Sequence, residues 1–302
     1  MKRDIVGYGR HVIPVQWPNK ARLALNFVVN YEEGAELSPV NGDQYAETYG
    51  GEFTLAAKPQ GMRNLSMESL FEYGSRTGIW RLMRLFDQNN IPVTFFITGY
   101  ALTLNPVFCD YLRETNHEIA GHGWRWIDYA TIPKEEERKH IQNCIQTIQK
   151  LTGKDVNGWY SGRRSEHTRQ LLREIGGFIY DSDSYSDDLP YFEHDHLIIP
   201  YTLDCNDFRF TTSPGFSMAN DFLTHLKYAF TYLYEEKRPA LMTIGLHSRI
   251  SGHPGRCMAI KHFIEFIKTF SNVWIARRID IAHHWLSQNN SPPVNTIKNH
   301  SK

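Results

Sequence analysis

The sequence predicts an α/β fold in one domain, with a parallel sheet arranged either as a barrel or as an open sheet. Apolar runs of strand length alternate with longer segments of helical periodicity along most of the chain, as repeated β-α-β units require. The length of 302 residues suits one large domain of this class, since α/β barrels commonly reach roughly 250 residues or more. No internal repeat, low-complexity tract or linker divides the chain before a polar C-terminal stretch.

The first strand is expected over 23–29, where Leu23-Ala-Leu-Asn-Phe-Val-Val29 is apolar with one break, as in a strand buried on both faces. Val93-Thr-Phe-Phe-Ile97 marks a second over 93–98, and further apolar runs fall at 118–120, 158–160, 179–181, 198–200, 241–246 and 273–276. Helical patterns occupy 78–88, 106–114, 134–151, 166–175, 220–236 and 255–270. The segment 36–62 is rich in Gly, Pro and polar residues and too long for a simple connection, which points to a lid, a binding loop, a subunit contact or a solvated insertion. The domain is expected to span 1–286. The polar tail 287–302 lacks the apolar surface that would offset ordering and is expected to be disordered.

Charge is balanced, 33 basic against 33 acidic residues, so nothing points to a nucleic acid or an acidic membrane surface as partner. The N-terminal basic residues are not followed by an apolar run of signal-peptide length, and no segment reaches membrane-spanning length, so a cytoplasmic location is expected. Cys109, Cys144, Cys205 and Cys257 are scattered without Cys-x-x-Cys spacing and are expected to be reduced thiols.

The chemistry concentrates at strand ends. Asn30-Tyr31-Glu32-Glu33-Gly34 follows the first apolar run, and His117-Glu-Ile-Ala-Gly-His122 brings an imidazole after a later strand. Adjacent carboxylates alternate in direction while a strand stays regular, but both can be drawn to a pocket rim where it turns into a loop. Repulsion then raises the proton affinity of one. Taken alone, the Glu pair reads first as solvated and His122 as a satisfied core histidine; the motifs around them reverse that preference. Four residues past His122, where a second zinc-binding imidazole would share its face, stands Trp126.

Seven motifs in order carry a family resemblance: Asn30 to Gly34, Leu65-Ser-Met-Glu-Ser-Leu70, His122-Gly-Trp-Arg-Trp-Ile-Asp-Tyr129, Gly158-Trp-Tyr-Ser-Gly-Arg163, Asp187-Asp-Leu-Pro-Tyr191, Ile199-Pro-Tyr-Thr-Leu-Asp204 and Ile244-Gly-Leu-His247. The chain resembles the polysaccharide deacetylase (NodB-homology) superfamily, and within it the cofactor-independent allantoinase branch, from about residue 3 to residue 285. The resemblance implies a single-domain distorted (β/α) barrel with fewer than eight regular strands, and a homotetramer.

By that correspondence Glu32 stands at the general base, Glu33 at the metal-binding Asp, His122 at the first metal-binding His, Arg163 at the Arg that orients the catalytic carboxylate and His247 at the general acid. An indole offers an N–H donor and no lone pair. Catalytic zinc takes three protein ligands, whereas only Glu33 and His122 remain as weak candidates, so no cofactor is expected. A hydantoin ring suits such a site, because its leaving nitrogen lies between two carbonyls and departs as a delocalised anion. Hydrogen-bond donors alone can then serve the oxyanion. The expected function is thus hydrolysis of a cyclic ureide, allantoin to allantoate.

Trp126 and Tyr160 are expected to line the pocket, with Trp159 pointing the other way. Asp204 and Asn206 are candidates for polar substrate edges or for turn caps. Two segments depart from the branch pattern, Gly162-Arg-Arg-Ser-Glu-His-Thr168 and Leu246-His-Ser-Arg-Ile-Ser-Gly-His-Pro254; both bear on substrate preference. The rival expectations are a metal-dependent deacetylase of chitooligosaccharides or peptidoglycan fragments, and an inactive ligand-binding homologue.

Overall fold

The computed structural model describes residues 3–10, 13–52 and 57–288. Among them one sheet contains β1 (Leu23–Tyr31), β2 (Val93–Ile97), β3 (Glu118–Gly121), β4 (Gly158–Trp159), β5 (Tyr180–Asp181), β6 (Tyr191–Glu193), β7 (His196–Ile198), β8 (Ala240–His247) and β9 (Val273–Ile275). The spatial order is β6-β7-β5-β4-β3-β2-β1-β8, with β9 on the start of β1 and β2 on its end. Every pairing is parallel except the β6–β7 hairpin. The sheet curls without hydrogen bonds between β7 and β8, giving the distorted barrel that the family resemblance implied.

The helices are α1 (Leu65–Tyr73), α2 (Ile79–Asn89), α3 (Gly99–Leu104), α4 (Pro106–Glu114), α5 (Lys134–Thr152), α6 (Thr168–Ile175), α7 (Ala219–Glu235), α8 (Ser248–Ser251), α9 (Pro254–Ile267) and α10 (Arg278–Gln288). A π turn at Gly74–Gly78 joins α1 to α2. The expected helix at 78–88 is therefore the second half of a longer unit. The strand expected at 198–200 lies at His196–Ile198 and gains an antiparallel partner. Ser287 and Gln288, assigned by sequence to the tail, are the last residues of α10; the rest of the tail lies outside the described residues.

Strand alternation sorts β1 into two environments. Leu23, Leu25, Phe27, Val29 and Tyr31 join the large apolar core under the helices, where Phe27 meets Phe86 of α2 with ring centroids 5.3 Å apart. Val28 instead packs inside the barrel with Phe96, Ala120, Tyr160 and Tyr201. Asn26 and Asn30 share that inner face, each fully buried and hydrogen-bonded. All four cysteines are free and buried. No described helix is long and apolar enough to cross a membrane.

Parallel register aligns the C-terminal ends of the strands. Tyr31 pairs with Ile97, Ile97 with Gly121, Gly121 with Trp159 and Asn30 with His247. Residues just past these positions converge on one end of the barrel. Part of the long loop roofs that end, with Glu36, Ser38, Ala46, Glu47 and Gly50 buried.

Candidate active site

Glu32, the residue after β1, is the hub. Its Oε1 lies 3.0 Å from Nε2 of His122, just past β3, and 3.5 Å from Nε2 of His247 at the end of β8. Its Oε2 lies 2.7 Å from Nη1 of Arg249 in α8. All four side chains are buried. Glu33 turns away from this hub: its Oε1 accepts from Ser248 Oγ and its Oε2 from the Glu32 backbone N–H at 2.8 Å.

The second nitrogen of each imidazole is already committed. His247 Nδ1 donates to Asp207 Oδ1 at 2.7 Å, and His122 Nδ1 donates to the Tyr160 carbonyl. Each ring therefore turns Nε2 to Glu32 with its other nitrogen already hydrogen-bonded. Burial lowers the proton affinity of His247, but Glu32 and Asp207 outweigh it and raise its pKa to about 9. Burial likewise pushes the Glu32 carboxyl up, but Arg249 and then His247 and His122 hold it well below the usual range. Glu33, raised by burial against the pull of Arg249 and Ser248, is raised further by Glu32. The two carboxylates are thus driven apart, as environment-tuned acid/base pairs are.

Glu32, His122 and His247 come together in one buried cluster, and Glu33 is buried beside it against Ser248. Arg163 does not reach either carboxylate. Its guanidinium lies 4.2 Å over the Trp126 ring, donates to the Trp126 carbonyl at 3.0 Å and stands 3.9 Å from Glu47. Arg249, absent from the sequence expectation, takes the carboxylate-pairing place because α8 turns inward directly after His247. Trp126 has both guanidiniums against its ring, that of Arg249 with its carbon 5.1 Å from the centroid. Tyr160 stacks on His122 with centroids 5.3 Å apart, and Trp159 points to the helix layer as expected.

Asp204 is not part of this cluster: its side chain is half-exposed and meets His225 at 3.0 Å. Asn206 is buried, caps a short 3-10 turn through the Phe208 N–H at 2.8 Å and donates to Tyr201. The turn-cap alternative describes it. The member of that stretch that reaches the cluster is Asp207, which sequence reasoning passed over; besides His247 Nδ1 it accepts from the backbone of His247 at 2.8 Å and of Ser251 at 3.2 Å. Asp204, Asn206 and Asp207 are three polar residues within four positions, and no pattern singled out the last of them.

These residues do not fit a tightly held divalent cation. Both Glu33 oxygens and both His122 nitrogens are engaged within the protein. Trp126 supplies no lone pair, and the fixed positive charge of Arg249 already faces Glu32. Among the described residues, the three ligand-type side chains close enough to share one ion are Asp204, Cys205 and His225, outside the cluster.

Residues 61–177 match the family model for polysaccharide deacetylase. A Schizosaccharomyces pombe protein grouped by name with the polysaccharide deacetylases is 39% identical over 94% of this chain and 96% of its own. A crystal structure from Pseudomonas aeruginosa PAO1, also under a polysaccharide deacetylase name, is 45% identical with a TM-score of 0.93, covering 96% of this chain and 100% of the other. The crystal structure of PuuE allantoinase is 46% identical with a TM-score of 0.93, covering 96% of this chain and 99% of the other.

Proposed function

The chain belongs to the polysaccharide deacetylase family and is a hydrolase of that family, and on that footing we propose that it opens the ring of a cyclic ureide, allantoin to allantoate, without a resident metal. The observation that carries this reading is the pairing of Glu32 with Arg249 beside Trp126, where a metal-dependent member needs a cation and a second imidazole. The buried, roofed site favours a small ring over a polymer chain, since Gly50 of the roof lies so close that a methyl group on it would meet Trp126 at 2.8 Å and Phe208 at 2.9 Å. Similarity to PuuE allantoinase over nearly the full chain supports the same substrate class.

In this reaction water adds to a ring carbonyl, the C–N bond breaks, and the released ureido nitrogen gains a proton. Glu32 takes the proton from water, and His122 holds Glu32 in place through Nε2. His247, protonated at neutral pH, is the general acid that supplies the leaving nitrogen, with Asp207 fixing its Nδ1. Because the acid must be protonated, kcat/KM is expected to fall as pH rises through about 9.

The test is a panel of allantoin, hydantoin and dihydropyrimidines against N-acetylglucosamine oligomers, each with and without chelator. Ring opening should survive chelation, and Glu32→Gln should abolish it in a protein that stays folded. Acetate release that requires added divalent metal, with no ring opened, would overturn the reading in favour of a deacetylase. A ureide that raises Tm but is never consumed would favour a binding protein.

A further inference from the structure

Arg249 is the fixed positive charge beside Glu32. It is fully buried, wedged between Phe71 at 4.2 Å and Trp126 at 5.1 Å from guanidinium carbon to ring centroid. Its Nε reaches only the Gly50 carbonyl, at the long distance of 3.5 Å. Nη1 stands 2.7 Å from Glu32 Oε2, an ion pair that occupies at most one of its two N–H bonds, and Nη2 has no hydrogen-bond acceptor among the described residues. A guanidinium carries five donors and cannot shed its charge. Burying such a group with its outer N–H bonds unspent is costly unless something else comes to use them.

We propose that Arg249 is a catalytic residue that binds the attacked carbonyl oxygen through its Nη atoms, a fixed organic cation standing in the place of a metal; this rests on the ring-opening reading above. As the oxygen of water bonds to the carbonyl carbon, the C=O π pair moves onto oxygen and is held by the Nη N–H groups. Glu32, on the other side of the same ion pair, takes the water proton. The pair then returns, the C–N bond breaks, and the nitrogen takes the proton of His247 Nε2. The sum is one water added across one C–N bond, with no oxidant or other reagent.

The same arrangement explains Trp126. The indole face attracts a guanidinium, and Trp126 has two against it, Arg249 at 5.1 Å and Arg163 at 4.2 Å from its ring centroid. Trp126 is a positioning residue: it holds Arg249 against Glu32. An imidazole at this position would face an arginine rather than a vacant cation site.

Two measurements test the proposal. In ring-opening kinetics, R249M should lose roughly 10²-fold or more in kcat with KM changed little, the pattern of an interaction made mainly in the transition state. R249K, which keeps the charge and guards against misfolding, should recover part of the rate, because an ammonium cannot present two parallel N–H bonds. An R249M rate within about threefold of wild type would overturn the proposal. The second measurement needs no substrate: each protein is incubated with Co²⁺ or Zn²⁺, desalted and assayed for bound metal. Wild type and W126H should retain none, whereas W126H/R249M should retain about one ion per chain, because the cation position is vacated and a third ligand supplied. Equal retention by W126H and W126H/R249M would overturn the placement of Arg249 at the cation position. If wild type opens no ureide while the metal pattern holds, the ring-opening reading fails and the cation-position assignment stands; if the metal pattern fails too, both fall.

Discussion

Glu32 and His247 set each other's charge, and Asp207 completes the set by fixing the other side of the imidazole. Removing the Asp207 charge while keeping its shape therefore has a signed consequence. In Asp207→Asn the His247 pKa falls from about 9, and the descending limb of kcat/KM moves to lower pH. Activity at neutral pH should drop on the order of 10²-fold or more, because the amide can present either donor or acceptor to Nδ1 and the tautomer is no longer fixed. A pH–rate profile checks both; an unmoved limb would show that another group supplies the proton. Stability carries the same signs. The raised His247 value contributes stability that is full below about pH 6.5 and is lost as pH climbs through about 9. The depressed Glu32 value contributes stability present above about pH 4.5 and lost as acid reaches its lower folded value. At this scale Glu32, His122 and His247 were legible through the ordered family motifs; the apolar run before each marks a strand end but does not by itself separate a site residue from a solvated or core one. Arg249 was not: an arginine among small residues carries no periodic signal, and arginine is seldom fully buried. Arg163 shows the converse, since sequence order puts an arginine near the motif without saying which way it points.

Between residue and fold, α1, the π turn and α2 form the unit that backs the acidic pair. Met67, Leu70 and Phe71 of α1 are buried at helical spacing, and Asn64 caps its start through the Met67 N–H at 3.3 Å. In this stretch the sequence predicts a helix only at 78–88; α1 and the glycines Gly74 and Gly78 between the two helices were not read from it. In the structure these glycines are close approaches. A Cβ on Gly74 would lie 2.3 Å from Glu33 Oε1 and 2.8 Å from the Arg249 backbone nitrogen, and one on Gly78 would lie 2.0 Å from the Ser248 carbonyl oxygen. The π turn brings the helix backbone against α8, which is how Ser248 meets Glu33 and Arg249 meets Glu32. Gly74→Ala should therefore destabilise by about 1–3 kcal/mol through overpacking and reduce turnover, although the residue has ordinary helical φ/ψ. Gly255→Ala in α9, with nothing within 4 Å of the added carbon, is the control and should be neutral or slightly stabilising in a thermal melt. Equal Tm values for the two variants would refute the close-packing account. The β6–β7 hairpin also escaped the sequence, because Tyr191 to Ile198 turns at His194, with φ 60°, among charged and polar residues rather than at a glycine.

The whole molecule must solve a problem that the strand pattern alone did not reveal: its sheet does not close. Alternation of strands and helices made the parallel α/β class legible, but the number of strands that pair is set by side chains far apart in sequence. The gap between β7 and β8 is occupied by the chain after β7, where Asn206 forms a single parallel bridge to Gly245 and Thr202 Oγ1 accepts from the Thr243 N–H at 3.0 Å. Arg278, fully buried, ties this segment to the barrel. Its Nη2 donates to the carbonyls of Ile199 at 2.7 Å and Pro200 at 2.5 Å, its Nη1 to Thr243 Oγ1 at 2.7 Å and Asn26 Oδ1 at 3.2 Å, and its Nε to Ser182 Oγ at 2.9 Å. One side chain thereby joins β1, β8, the exit of β5 and the segment that leads to Asp207. Burial lowers its pKa, so a cation is kept there at a cost that only a full set of acceptors offsets. Replacing it by a side chain of similar length without donors leaves two backbone carbonyls unpaired, and Arg278→Met should cost about 3–5 kcal/mol. Because the same segment delivers Asp207 to His247, activity should fall further than the loss of folded protein accounts for. Arg278→Lys should recover little, since an ammonium cannot span acceptors on opposite sides of the gap. Urea melts and the specific activity of the folded fraction decide this. An Arg278→Met protein with unchanged midpoint and unchanged turnover would mean that the seam is held by the Asn206 and Thr202 contacts alone.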